Sequence, residues 1–301
     1  MRAIKTLTDV ERSFPTEEAC LQYLTETRWP GGKVQCPRCH LSLKVYKLKR
    51  PFRWVCKGCH KNGYRFSPLV GTIYENTNVP LRTWFKVIYM ICVSKKGVSA
   101  MQVQRMIDPS QGGTKVSYRT AWYMLHRIRA AMKDDEMLSE LLTGEVEIDE
   151  TYVGGSDSNK HRSKLRKEGR KAKVPVIGAI ARKGSVVAKV IENANEAALT
   201  GFVQETVSTK VSLVSTDEHR GYNPLGTVYP HETVNHTQGE YVRGNVHTAH
   251  IDQFWSMLKR GIMGTFHQVS KDYLPLYVAE FAYRHNHRDD ADMFRSVVAG
   301  C

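Results

Sequence analysis

No run of about 18 apolar residues, the length a membrane-spanning helix needs, occurs anywhere in this chain of 301 residues. The opening stretch MRAIKTLTDVERSF lacks the apolar core of a secretion signal, so the chain is expected in the cytoplasm. Acidic residues are few beside basic ones: 30 Asp and Glu against 44 Lys and Arg leave a net charge of +14. The isoelectric point lies near 9.4. The excess is spread along the chain and not held in one tail, which points to a polyanionic partner, nucleic acid first. Cysteine is sparse too, at seven residues, and four of these stand in two pairs with two-residue gaps. In an intracellular chain such usage argues for metal ligation more than for disulfides. Cys20, Cys92 and Cys301 are left over, and the first two read as packing residues among apolar neighbours. There is no internal repeat.

What is present divides into four parts: a helical segment at 1–33, a cysteine-stapled module at 34–70, a helical module at 71–143 and an α/β domain at 144–301. In the first, Thr16 is a fitting N-cap for a helix with two acids in its first turn, and Trp29 to Gly32 stop it. Residues 34 to 66 read as short strands. LRTWFKVIYMICV (81–93) reads as a buried helix, and Ser99 with Gln102 as a capping box opening a second. Ser117 then caps a third, in which Trp122, Leu125 and Ile128 or Arg129 give one apolar and one basic face; Arg119 and Arg127 on it are candidate DNA contacts. This order resembles a helix-turn-helix arrangement, and a plain three-helix bundle fits it as well. After Gly144 the texture turns to strands at EVEIDETYV, VPVIGAIAR and SVVAKVIEN. A helix capped by Asn195, the buried run VSLVSTD, a strand within 226–236 and helices at 248–260 and 270–287 follow. The sum is an α/β fold with a mixed sheet covered on both faces.

Two constellations carry chemistry. CPRC, sixteen residues and CKGC place Cys36, Cys39, Cys56 and Cys59 at the spacing of a four-thiolate zinc ribbon, one structural Zn²⁺ with no open position. His40 and His60 follow the second cysteine of each pair and are read as exposed knuckle residues. Basic residues around the ribbon would suit DNA phosphates, although a ribbon also serves to bind protein. The second constellation is Asp149 in EVEIDETYVGG, Asp217 in VSLVSTDEHRGY and Asp252 in HIDQFWSMLKRG. Each marks the end or interruption of a strand-like run or the start of an amphipathic helix, so three elements can bring carboxylates together around divalent cations. Asp149 competes with Glu147 and Glu150 for that role, and a first-turn acid that merely stabilises its helix would also account for Asp252. Between Asn159 and Lys173, KHRSKLRKEGRKAK carries eight basic residues. Lys164, Arg166, Lys167, Arg170 and Lys171 read as a clamp on the DNA backbone, against the alternative of a solvated insertion.

The blocks CPRC...CKGC, FSPLVGTIYENTNVPLRTWF, YRTAWYMLHRIRAAM, EIDETYVGG and GEYVRGNVHTAHIDQFWSMLKRGIMGTFHQVS, in that order, resemble the zinc-ribbon insertion-sequence transposases of the ISXO type over nearly the whole chain. The resemblance implies a ribonuclease H-like catalytic domain at 144–301 that cuts and joins DNA at transposon ends, in the bacterial cytoplasm at the nucleoid. It implies two Mg²⁺ ions held by Asp149 and Asp217 with Asp252 completing the second site, and water and then a DNA 3′-hydroxyl as nucleophiles. His219, Asn245, His247 and Lys259 are candidates to orient the phosphate, and Arg243, Lys259 and Arg260 to hold phosphates nearby. Double-stranded DNA and a homo-oligomer pairing two ends are the implied partners. Family members commonly have Glu where this chain has Asp252, and they run on beyond SVVAGC. Both departures motivate the alternative of a catalytically impaired DNA-binding protein derived from a transposase.

Overall fold

Residues 4–107, 115–133, 141–154, 173–235, 238–240, 242–290 and 292–300 are described by this computed structural model. Two compact units emerge, one of residues 1–132 with 289–301 and one of 133–288. In the first, Thr6 and Asp9 form a capping box that opens α1 (Leu7–Ser13). The Thr16 hydroxyl accepts the Ala19 N–H at the start of α2 (Glu17–Arg28). That helix stops at Trp29 as the sequence predicts, and Gly31 and Gly32 follow at φ 71° and 73°, a region that favours glycine. Three short antiparallel strands, β1 (Val45–Lys47), β2 (Trp54–Cys56) and β3 (Tyr64–Phe66), form the ribbon. Its apolar content is small: Trp29, Trp54 and Phe66 around Cys36 and Cys56.

α3 (Leu81–Val93) is buried over most of its circumference. Its Phe85 ring meets Phe14 at 4.8 Å and Tyr23 at 6.0 Å, so α1, α2 and α3 share one aromatic core. Pro80 cannot cap α3, and the Glu17 carboxylate accepts the Leu81 N–H at 2.8 Å in its place. α4 (Ala100–Met106) begins with the expected Ser99–Gln102 capping box. In α5 (Tyr118–Lys133) the basic face is narrower than the pattern suggested: Arg129 is buried, Arg119 exposed, and Arg127 lies over the Tyr123 ring at 5.3 Å and donates to Glu75 O.

The second unit is built on one five-stranded mixed sheet, whose strands are β4 (Glu145–Val153), β5 (Val174–Ala181), β6 (Val186–Val190), β7 (Leu213–Thr216) and β8 (His231–Thr233). Their order across the sheet is β6-β5-β4-β7-β8, with β6, β5 and β4 antiparallel and β4, β7 and β8 parallel. The β5–β6 turn is tight, with Lys183 at φ 59°. Among the described residues of 226–236 the strand is the short β8, and Arg220–Thr227, with Pro224 inside it, winds into a 3-10 turn ahead of it.

Alternation along β4 sends its side chains to two cores. Val146 and Ile148 join Ile177 and Ala179 under α6 (Glu196–Thr206), which contributes Leu199, Phe202 and Val203. On the other face Val153, Val176 and Ile180 meet Ile251, Trp255 and Leu258 of α7 (Ala249–Gly261) and Val278 and Phe281 of α8 (Leu274–Asn286). The last helix, α9 (Met293–Gly300), belongs to the first unit, where Phe294 lies 5.6 Å from Phe85 and 5.9 Å from Phe14.

Candidate active site

β4 outruns β7. Its parallel register stops at Glu147↔Ser215, and two residues further along each strand stand Asp149 and Asp217. Asp149 is therefore on the central strand, just where its neighbour ends and leaves an opening. Carboxylate oxygens of Asp149, Glu150 and Asp217 all lie within 4.8 Å of one another. Asp252 comes from α7 and lines, with Asp149, an open cleft of about 450 Å³. Trp255, Ser256, Lys259 and Arg260 of the same helix, Met263 beyond it, and Glu150 and Thr151 on β4 complete the lining. The Asp252 carboxylate stands outside the tight group of three and receives the Thr248 hydroxyl at 3.1 Å.

The electrostatics follow from that crowding. Burial, and then the carboxylates of Asp217, Glu150 and Asp252, push the Asp149 carboxyl up to about 8. Burial also raises Glu150, although the Tyr222 hydroxyl, 2.7 Å away, donates to its carboxylate and works against the shift. Asp217 is steadied by the His219 N–H at 3.1 Å, and the His219 ring faces Glu150 at 3.9 Å.

α7 is set down on this face by a close approach at Gly178, the residue paired with Asp149 on β5. A Cβ at Gly178 would meet the Trp255 ring at 2.7 Å, so only glycine leaves room for the helix where it lies. The first turn of α7 is held from below by Glu147. That side chain is fully buried and accepts the N–H groups of His250 at 2.8 Å and Ile251 at 3.3 Å.

The residues singled out from sequence fall in several places. Asp149, Asp217, Asp252, Lys259 and Arg260 gather at or beside the cleft. Arg243 does not line it; its guanidinium reaches Glu232 at 3.3 Å and Thr233 O at 3.0 Å beside β8. His247 turns to Glu147 at 3.1 Å, and the Asn245 carbonyl accepts from Arg182. Arg119 and Arg127 belong to the first unit. Lys164, Arg166, Lys167, Arg170 and Lys171 lie outside the described residues. The sequence offers Glu147 only as a rival of Asp149 for a metal, not as the partner of the α7 amides, and gives no sign of Gly178 or Tyr222, since these contacts reach 103, 77 and 72 residues along the chain.

In the first unit the four ribbon thiols converge: Cys36 and Cys59 are 3.4 Å apart, Cys56 and Cys59 3.6 Å, and Cys39 and Cys56 3.8 Å. Sulfurs about 2.3 Å from a tetrahedral Zn²⁺ would stand about 3.8 Å apart, so the set fits that ion. His40 and His60 are not part of the group. Among the described residues no helix is long and apolar enough to cross a membrane.

Residues 141–286 match the model of the ISXO2-like transposase domain, and residues 15–62 that of the transposase zinc-ribbon domain. A protein of the transposable element ISH50 from Halobacterium salinarum is 30% identical over 289 residues, which cover 91% of this chain and 92% of the relative. With the ribbon, the domain and the near full-length relative all agreeing, the chain belongs to the zinc-ribbon, ISXO2-like transposases of insertion sequences.

Proposed function

We propose that this transposase binds the ends of its insertion sequence and catalyses DNA strand cleavage and strand transfer at the cleft between β4 and α7, in a domain of ribonuclease H-like fold. The strand order β6-β5-β4-β7-β8, three antiparallel strands followed by two parallel ones, supports that fold. The observation that carries the chemistry is Asp149, half-buried on the central strand among three further acids. So much like charge in one place asks for a cation, and the donors are carboxylate oxygens, the hard ligands that suit Mg²⁺ or Mn²⁺. Asp149 and Asp217 would hold one ion, and Asp252 would complete a second site. Two such ions, when bound, activate a water or 3′-hydroxyl nucleophile and offset the charge gathering on the phosphorus.

The chain's own groups do the remaining work. Lys259 and Arg260 on the cleft wall would grip the phosphates that flank the scissile bond. Trp255 gives the cleft an apolar side. Burial raises the Tyr222 phenol, which keeps its proton and keeps the Glu150 carboxylate turned toward it. Arg119, Arg127 and the basic segment with Lys164, Arg166, Lys167, Arg170 and Lys171 would carry DNA-backbone contacts, and pairing two ends calls for a homo-oligomer.

Asp217→Ala should abolish cleavage of a labelled matched end and leave end binding within about twofold. Equal loss of both would contradict the assignment. Asp252→Glu, which adds one methylene of reach, should raise the rate. A second reading, a transposase-derived DNA-binding protein with impaired catalysis, is favoured by the Asp252 carboxylate standing outside the group of Asp149, Glu150 and Asp217. Specific end binding with no cleavage in Mg²⁺ or Mn²⁺ would establish that reading instead.

A further inference from the structure

Glu147 precedes Asp149 by two residues on the same face of β4 and is fully buried. Both of its oxygens are occupied. Oε2 accepts the backbone N–H groups of His250 at 2.8 Å and Ile251 at 3.3 Å, amides in the first turn of α7 that have no partner within their own helix. Oε1 accepts from Arg182 Nε at 2.9 Å and faces His250 Nδ1 at 2.8 Å and His247 Nδ1 at 3.1 Å. Glu147, His247 and His250 have the composition of a metal set. The guanidinium on the one oxygen and the two amides on the other assign the carboxylate a different task.

Thr248, the residue that should cap α7, makes no side-chain cap and gives its hydroxyl to Asp252. The amides it leaves are received by a strand residue 103 positions away. Glu147 is two strand steps, about 6.7 Å, from Asp149. The amides it holds immediately precede Asp252. A hydrogen-bonded route from Asp149 to Asp252 therefore runs along β4, across this carboxylate and into the first turn of α7.

We propose that Glu147 is a positioning residue, which ties the first turn of α7 to the central strand and so sets the spacing of Asp149 and Asp252 at which a divalent cation is held. This rests on the metal reading of the cleft. Mn²⁺ alone, titrated by calorimetry into the full-length zinc-loaded protein, into Glu147→Gln and into Glu147→Gln/Arg182→Met, tests it together with hydrogen exchange of the His250 and Ile251 amides in the metal-free state. The double variant restores the wild-type net charge, with Glu145 losing its partner Arg182, and is the one read if the single variant does not fold. The variants should bind Mn²⁺ about tenfold or more weakly, as lost outer-shell contacts do elsewhere, with both amides exchanging faster. Asp252→Asn should weaken Mn²⁺ and leave the amides protected. Variants that bind Mn²⁺ as the wild type does, or whose amides stay protected, overturn the positioning role alone. A wild type that takes up no Mn²⁺ overturns the metal reading and the proposal with it.

Discussion

A carboxyl group withdrawn from water and crowded by three others prefers to keep its proton, and Asp149 shows what this costs the metal-free protein. Its pKa rises from 3.8 to about 8 on folding. A raised acid favours the folded state fully below the unfolded value, and that contribution is lost as pH climbs through the folded one. Metal-free protein should therefore lose stability between about pH 4 and pH 8. Asp149→Asn should melt several degrees above the wild type at pH 8.5, since each 1 kcal/mol is worth about 2–4 °C in a domain of this size. The gap should close near pH 4 and narrow when Mg²⁺ is added. Melting curves of both proteins across that range check this, and a constant difference would contradict it. At this scale the sequence was partly legible. Asp217 and Asp252 stood out because each sits where a recognisable element ends or begins, and Asp149 because it interrupts an apolar strand. Glu147 was visible only as a rival of Asp149, since the amides it holds come from a distant helix.

Elements place these side chains through contacts that no local pattern reports. Gly178→Ala should force Trp255 and α7 outward, lowering stability by about 1–3 kcal/mol, as overpacking does, and cutting cleavage further than stability alone explains. Gly201→Ala in α6 meets open space and should be neutral or gain up to about 1 kcal/mol, an internal control for denaturant melts. The ribbon, with three short strands and little core, should lose its structure when zinc is chelated, releasing four thiols to a thiol reagent. Cys20, buried and with its thiol pushed up to about 12, should stay unreactive until the first unit unfolds. Most elements were readable from their caps and periodicities, as at Thr16, Ser99 and Asn195. The short β8 and the burial of Arg129 were not, because tertiary packing decided them.

For the whole molecule, a net charge of +14 suits a polyanionic partner, and in the proposed function phosphate contacts would be the main source of DNA affinity. End binding should weaken steeply with salt, and Lys259→Gln with Arg260→Gln should flatten the log–log salt slope by roughly 2. Unchanged slopes in titrations from low to moderate salt would remove those two residues from the interface. The α/β class, the mixed sheet and the ribbon were legible in chain order. That α9 clusters with the first unit was not, since it depends on Phe294 meeting Phe14 and Phe85. The central claim is that acids from β4, the end of β7 and α7 jointly hold divalent cations, and anomalous scattering from a crystal soaked in Mn²⁺ tests it most directly. The account predicts a peak between Asp149 and Asp217 and a second bounded by Asp149 and Asp252. A soaked crystal with manganese elsewhere, or nowhere, would contradict it.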